Sequence, residues 1–378
     1  MKGVQSSLGV DTGVEENASN AAASATFVGS APTVVDLFSG AGGFACGFER
    51  AGYRLDLAVD RHEPSIRTLR ENHPGADAVC TDITRLDFAT LPYRPDVLVA
   101  GIPCQGFSAA NRKHDADDER NHLFRHFLRA VRAFDPEAVL IENVSNMKSV
   151  KEGGYVHDIV TLIADLGYRV DWAVLDAAEF GVPQHRERLF IQGARNAVRW
   201  PDPPGITVTA GEAFAHLPAV DPGEAAPWPP NHVAPDHEPA TVERIERTAP
   251  GEPMYDSFRQ RVRLAPDEPA PTIVSGGIRP QFQYGHPTRP RGLTVRERAV
   301  LQSFSDHYRF RGGITQARVQ TGQAVPPRLA AALAAALETA PAGSPPVATT
   351  AEREDGSIPK NGRSGINTVE NGQRRGGG

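Results

Sequence analysis

The run TVVDLFSGAGGFACGFERAG, residues 33 to 52, passes from a short apolar strand through a glycine-rich turn into a helix. The chain repeats that passage several times. LDLAVD (55–60), DAVCTDI (77–83), PDVLVAGIP (95–103) and AVLIENV (138–144) are apolar runs of strand length, separated by helical stretches such as EPSIRTLRENHP (63–74) and HLFRHFLRAVRAF (122–134). Alternation of this kind predicts repeated β-α units, which form a parallel sheet with helices on both faces. VHDIVTLIADLGY (156–168) and RLFIQGA (188–194) extend it to about residue 195. In such sheets ligands collect outside the carboxyl ends of the strands. Those ends read Phe38-Ser39-Gly40, Asp60, Asp82, Pro103-Cys104 and Glu142-Asn143.

The texture then changes. Between about 196 and 287 prolines are frequent (WPDPPG, APWPPNHVAPDHEP) and no period is sustained, as expected of a second, irregular domain or a large insertion. LTVRERAVLQSF (293–304) predicts a helix with Thr294 and Glu297 in capping-box spacing, and PPRLAAALAAALETA (326–340) an alanine-rich helix begun by proline. The expected division is therefore a tail over 1–30, a catalytic and cofactor-binding domain over 31–195, the irregular domain over 196–287, a returning segment over 288–340 and a tail over 341–378. Both tails are rich in small and polar residues and are expected to be disordered.

Composition narrows the function without naming it. A net charge of -6 gives no global attraction to nucleic acid, so such binding needs a local basic face. Three cysteines, Cys46, Cys80 and Cys104, are too few and too scattered for a disulfide framework or a zinc cluster, so no metal is expected. No stretch approaches a membrane span and no secretory leader is evident, so the expectation is a cytoplasmic protein with no membrane partner.

Each motif has a plain structural alternative. Glycines 40, 42 and 43 let the backbone turn sharply and approach a ligand at a helix N-terminus, though an ordinary tight turn would also use them. Asp60, about 20 residues on, sits where a carboxylate accepts ribose hydroxyls. The spacing is not G-x-G-x-x-G, which fits an adenosyl ligand without a pyrophosphate better than a dinucleotide. Cys104 would be a packed thiol if it stood alone. It stands instead at a strand's carboxyl end, before the polar stretch SAANRKHDADDERN (108–121) that could close over a substrate, and a thiolate is a strong nucleophile. Glu142 should open onto the same cleft, or merely cap the next helix. Arg186 and Arg188 in QHRERLFI share one side of an extended chain, or form surface ion pairs.

Taken in order, these residues resemble the DNA (cytosine-5)-methyltransferase family, of bacterial type. DLFSGAGGFACGF (36–48) is similar to its first motif, GIPCQGFS (101–108) to its catalytic motif, ENV to its glutamate motif and QHRERLFI to its arginine motif. RGLTVRERAVLQSF (291–304) resembles the helix after the recognition domain, and GQAVPP (322–327) the last motif. The resemblance covers nearly all of residues 33 to 338. It implies an α/β fold, with a Rossmann-like S-adenosyl-methionine-dependent methyltransferase sheet and a smaller, irregular target-recognition domain. It also implies methyl transfer from S-adenosyl-methionine to carbon 5 of a flipped-out cytosine in a short duplex DNA sequence. Cys104 would add to carbon 6, Glu142 would bind ring nitrogen 3 and the amino group, Arg188 the carbonyl at carbon 2, and Arg186 would brace them.

The same resemblance assigns the donor pocket. Phe38, Gly40 and Gly43 would lie near the donor, Asp60 on the ribose and Asp82 with Ile83 on the adenine, with Pro103, Leu123 and Val325 completing the wall. Three positions depart from the family. Gln323 stands where asparagine is expected, Arg61 where many relatives stack an apolar ring, and Ser305 where proline is frequent. In the recognition region Arg244, Arg247, Arg259, Arg261, Arg263 and Arg279 are candidates for phosphate and guanine contacts. A monomer is expected, with a restriction endonuclease for the same site as a possible partner. Two other readings stay open: a DNA-binding homologue that has lost catalysis, and the same chemistry on a structured RNA.

Overall fold

Seven strands form one sheet in the order β3-β2-β1-β4-β5-β7-β6. The strands are β1 (Thr33–Leu37), β2 (Arg54–Asp60), β3 (Asp77–Cys80), β4 (Val97–Gly101), β5 (Ala138–Val144), β6 (Arg169–Asp176) and β7 (Glu187–Ala194). The computed structural model describes residues 31–103, 122–275 and 283–338. Cys104, the stretch 108–121, Arg279 and both tails lie outside them.

The first five strands are mutually parallel, as the alternation predicts. β7 runs antiparallel to both β5 and β6, so the sheet is mixed rather than wholly parallel. The cause is chain length. A parallel return needs a crossover of a dozen or more residues, usually a helix. Between Asp176 and Glu187 the chain has only a short 3-10 turn over Ala177–Phe180 and the residues that follow it.

Side-chain alternation splits the core between the two faces of the sheet. Val35, Leu37, Val59, Leu98 and Ile141 face α3 (His122–Phe134) and α4 (Gly154–Ala164). Val34, Leu55, Ala58, Val99 and Leu140 face α1 (Gly43–Arg50), α2 (Glu63–Asn72) and α9 (Pro327–Glu338). The end of the described chain therefore packs on the same face as its first helix. Gly47 permits the close crossing, because a Cβ there would lie 2.4 Å from Ala330 Cβ and 2.6 Å from Pro327 O.

Residues 196–287 contribute α5 (Ala210–Phe214), α6 (Pro239–Arg247) and isolated bridges. Their core is shared, since Phe214, Leu264, Ile273 and Tyr284 pack on Val300 and Leu301 at α7 (Val295–Leu301). The capping box of α7 forms as its sequence predicts: Glu297 N–H donates to Thr294 Oγ1 and Thr294 N–H to Glu297 Oε2. Glu297 also takes a bidentate pair from Arg291 at 2.9 and 2.8 Å, with both side chains almost fully buried. The last helix before α9 is α8 (Ile314–Gln323).

Candidate active site

The strand order reverses between β1 and β4, which is where a crevice opens in sheets of this class. A pocket lies at the carboxyl ends on that side, lined by Phe38, Val59, Asp60, Arg61, Thr81, Asp82, Ile83, Pro103 and Leu123. Seven of these residues are among the cofactor candidates, while Val59 and Thr81 carry no sequence signal beyond their place at strand ends.

The loop after β1 is bent and heavily anchored. Phe38, Gly40 and Gly42 have φ of 55°, 52° and 81°. A non-glycine residue held left-handed is uncommon and persists only where its surroundings fix it. Here Ser39 N–H donates to Val59 O at 3.0 Å and Gly40 N–H to Asp60 Oδ2 at 2.8 Å. The other Asp60 oxygen accepts from His62 N–H at 2.7 Å. Asp60 thus shapes the loop and still presents free lone pairs to the pocket.

Asp82 follows the end of β3 and accepts Thr84 N–H at 2.9 Å. That hydrogen bond, with Arg61 and Arg85 adding attraction, holds its carboxyl below the usual value. Arg61 is exposed at the pocket rim. Gly43 and Val325 belong to the wall behind. A Cβ on Gly43 would lie 2.2 Å from Val325 O, so only glycine admits that contact. Val325 is buried in the apolar core and Gln323 is exposed at the end of α8, and neither lines the pocket.

Beside the pocket stand Glu142 and Arg188. β5 and β7 are adjacent, and Arg188 Nε lies 3.0 Å from Glu142 Oε1. Gly101 separates this pair from the loop after β1: a Cβ on Gly101 would lie 3.7 Å from Phe38 O and 3.8 Å from Glu142 Oε2. Glycine leaves that space open between pocket and ion pair. Together they present a carboxylate and a guanidinium, suited to the polar edge of a flat heterocycle.

Arg186 serves a different task. It is 2% exposed, and it donates to Ile273 O at 2.9 Å and Gly322 O at 3.0 Å, tying β7 to the segment after the irregular region and to α8. Burial, with repulsion from Arg188 and against attraction from Glu142, pulls its guanidinium down to about 9, which leaves it charged at neutral pH.

The remaining supports were not legible as site residues. Asn143 Nδ2 donates to Ile102 O at 3.1 Å, which fixes the exit of β4 ahead of Pro103. Gln184, fully buried, receives Ile273 N–H and donates to Leu301 O and Gln302 Oε1. Both lie inside quoted motifs, and only their long-range partners reveal what they hold.

In the irregular region the arginines divide. Arg263 donates to the carbonyls of Ile245, Glu246 and Thr248 at the end of α6. Arg247 pairs with Glu243 on the same helix. Arg244 lies over the Tyr255 ring at 4.7 Å and Arg261 over Phe258 at 4.6 Å, while Arg259 is exposed. Among the described residues no three His, Cys, Asp or Glu side chains gather as a metal site, and no helix is long and apolar enough to cross a membrane.

A sequence profile described as C-5 cytosine-specific DNA methylase matches residues 32–217 and 241–339. The chain is 36% identical over 325 residues to the Type II methyltransferase M1.HphI of Haemophilus parahaemolyticus, covering 81% of this chain and 86% of that one. It is 33% identical over 329 residues to the Type II methyltransferase M.Eco47II of Escherichia coli, covering 80% and 77%. A solved structure titled as a DNA modification methyltransferase encoded within an E. coli prophage superposes with a TM-score of 0.69 at 26% identity, over 82% of this chain and 99% of that one. The Entamoeba histolytica methyltransferase EhMeth, at 14% identity, shares the fold with a TM-score of 0.62 over 81% and 98%.

Proposed function

The chain belongs to the C-5 cytosine-specific DNA methylase family, and from that premise we propose that it methylates carbon 5 of a flipped-out cytosine within a specific short duplex DNA sequence, through a covalent adduct with Cys104. The observation that carries this reading is the Glu142–Arg188 pair beside the lined pocket.

The pocket residues fit S-adenosyl-methionine. Phe38, Val59, Ile83 and Leu123 offer apolar walls, and Asp60 and Asp82 offer acceptors. When bound, that donor supplies an electrophilic methyl group on a sulfonium that leaves without metal help. Asp60 would hold ribose hydroxyls, and Asp82 with Ile83 would meet the adenine edge. The departures at Arg61 and Gln323 leave these roles intact, because a guanidinium plane also stacks and the Gln323 side chain is exposed at the end of α8, away from the pocket lining.

Cytosine carbon 5 is too poor a nucleophile to react unaided. The Cys104 thiolate forms a bond to carbon 6, and the electron pair of the 5,6 double bond moves toward carbon 5 and the ring carbonyl. Glu142 accepts from the amino group and shares a proton with ring nitrogen 3, and Arg188 donates to the carbonyl at carbon 2, as charge grows in the ring. Carbon 5 then takes the methyl group. A base removes the proton from carbon 5, the double bond reforms and Cys104 leaves as thiolate. Arg186 positions Arg188 through the backbone it holds. Because the reacting atoms are hidden in a duplex, the base must leave the stack, and the stretch after Cys104 would close over it.

The same proposal assigns residues 196–287 to target recognition and pictures a cytoplasmic monomer. Likeness to proteins named Type II methyltransferases supports a cognate restriction endonuclease as partner. The test is transfer of labelled methyl groups to duplex DNA and to transfer RNA, with wild type and Cys104→Ser, followed by bisulfite sequencing of host DNA. Incorporation into DNA at one motif by wild type alone is expected. Preference for RNA, or a Cys104→Ser protein that still methylates, overturns the reading.

A further inference from the structure

The donor loop has one anchor that comes from the far end of the chain. Tyr308 Oη donates to Ala41 O at 2.5 Å, across 267 residues. The tyrosine is 5% exposed, and burial pushes its phenol well above the ordinary value, so the hydroxyl stays a donor. His73 Nε2 lies 3.1 Å from the phenol oxygen, and His73 Nδ1 lies 2.7 Å from Glu49 Oε2. The contact is close. A Cβ on Gly42 would lie 2.7 Å from Tyr308 Oη and 3.2 Å from His73 Nε2, so the loop fits here only with glycine at 42.

The other anchors of this loop, Val59 and Asp60, themselves line the pocket. Ala41 lies between Gly40, which is bound to Asp60, and the left-handed Gly42 that opens α1. Tyr308 is held in turn by Asn231 of the recognition region and by Arg296 on α7. Asn231 exchanges two hydrogen bonds with the Phe310 backbone at 3.0 and 2.9 Å, and Arg296 donates to Tyr308 O and Pro230 O.

We propose that Tyr308 is a positioning residue for the methyl donor, clamping the Phe38–Gly42 loop through Ala41 so that the pocket is formed before the donor arrives. This rests on the donor reading of the pocket. Preorganisation of this kind raises affinity by lowering the ordering cost of binding.

The test is calorimetric binding of S-adenosyl-homocysteine to the full chain without DNA, for wild type, Tyr308→Phe and Phe304→Leu. Phe304 packs against the Tyr308 ring at 4.7 Å and makes no clamp bond, so its variant reports loss of packing alone. Loss of one neutral hydrogen bond predicts affinity lower by roughly two- to tenfold in Tyr308→Phe. KM for DNA should stay within about twofold, because Asn231 and Arg296 hold the backbone at 308–310 whatever the ring carries. Amide exchange at residues 39–43 of the ligand-free protein should speed up in Tyr308→Phe and not in Phe304→Leu. Unchanged affinity and exchange in Tyr308→Phe, or equal losses in Phe304→Leu, would overturn the clamp. Absence of binding by the wild type would instead sink the donor reading, and the clamp with it.

Discussion

Glu142 on β5 and Arg188 on β7 meet with Nε 3.0 Å from Oε1, their side chains only 12% and 14% exposed. Each prepares the other: the guanidinium keeps the carboxylate aimed at the cleft, and the carboxylate keeps the guanidinium from folding back. Glu142→Gln preserves shape and removes the carboxyl proton that the proposed mechanism shares with ring nitrogen 3. Its kcat should fall by about 10²-fold, as for loss of one preorganised polar contact to developing charge. Arg188→Lys keeps a charge but loses the planar fork, and should also be impaired. Single-turnover methylation at saturating donor checks both. A Glu142→Gln enzyme of near wild-type rate would remove the carboxylate from the mechanism.

Gly43 shows how the last motif is seated. A Cβ there would lie 2.2 Å from Val325 O and 2.9 Å from its N, and backbone has no rotamer with which to yield. Gly43→Ala should cost about 1–3 kcal/mol, the usual range for overpacking. It should also weaken S-adenosyl-homocysteine binding, since α1 begins beside the pocket. Gly75→Ala is the control, because a Cβ there meets nothing within 4 Å. Urea denaturation of both variants measures the difference, and equal stability would show that the α1 start relaxes freely.

Much of this arrangement was legible as pattern. β1, β4 and β5 were readable because central parallel strands, buried on both faces, are near-continuous apolar runs. The pocket acids were readable because this topology gathers strand ends. The direction of β7 was not, since it depends on a connection too short for a crossover rather than on the strand's own residues. Thr294 and Glu297 announced a capping box, but nothing local announced that Glu297 also pairs with Arg291. Asn143 and Tyr308 were opaque for the same reason. Their partners, Ile102 and Ala41, lie 41 and 267 residues away.

His286 predicts a pH dependence of stability. Its Nδ1 accepts Thr288 and Arg289 N–H, both at 3.2 Å, its ring stacks on Phe214 and its Nε2 lies 3.5 Å from Glu297 Oε1. Burial lowers it from 6.5 to about 4, against attraction from Glu297 and with Arg291, Arg289 and His232 opposing charge. Between those values the unfolded chain binds a proton that the folded chain does not, so stability rises with pH there. The contribution is complete above about 6.5 and is lost as the pH falls toward 4, up to about 3 kcal/mol. His286→Asn keeps an acceptor near Nδ1 and removes the titration. Wild type should lose stability relative to this variant from pH 7 to 4.5 in urea unfolding, and parallel curves would refute the assignment.

The segment from Gly251 to Arg263 predicts where DNA affinity resides. Gly251 N–H donates to Arg263 O, Arg263 N–H to Glu252 O and Met254 N–H to Arg261 O, and Pro253 bridges Val262 antiparallel, so the chain folds back as a ribbon. Its tip carries Phe258, 47% exposed, under the Arg261 guanidinium, with Arg259 exposed beside it. A stacked guanidinium and an exposed ring offer charge to phosphate and a flat face to a base. Arg263, in contrast, caps the end of α6. Arg259→Ala and Arg261→Ala should each weaken DNA binding and reduce the slope of log affinity against log salt by about 1. Arg263→Ala should lower thermal stability and leave the slope near its wild-type value. Fluorescence anisotropy on a duplex at several salt concentrations separates the two behaviours. If Arg263→Ala shifts the slope as much as Arg259→Ala, the division between recognition and support within this ribbon is wrong.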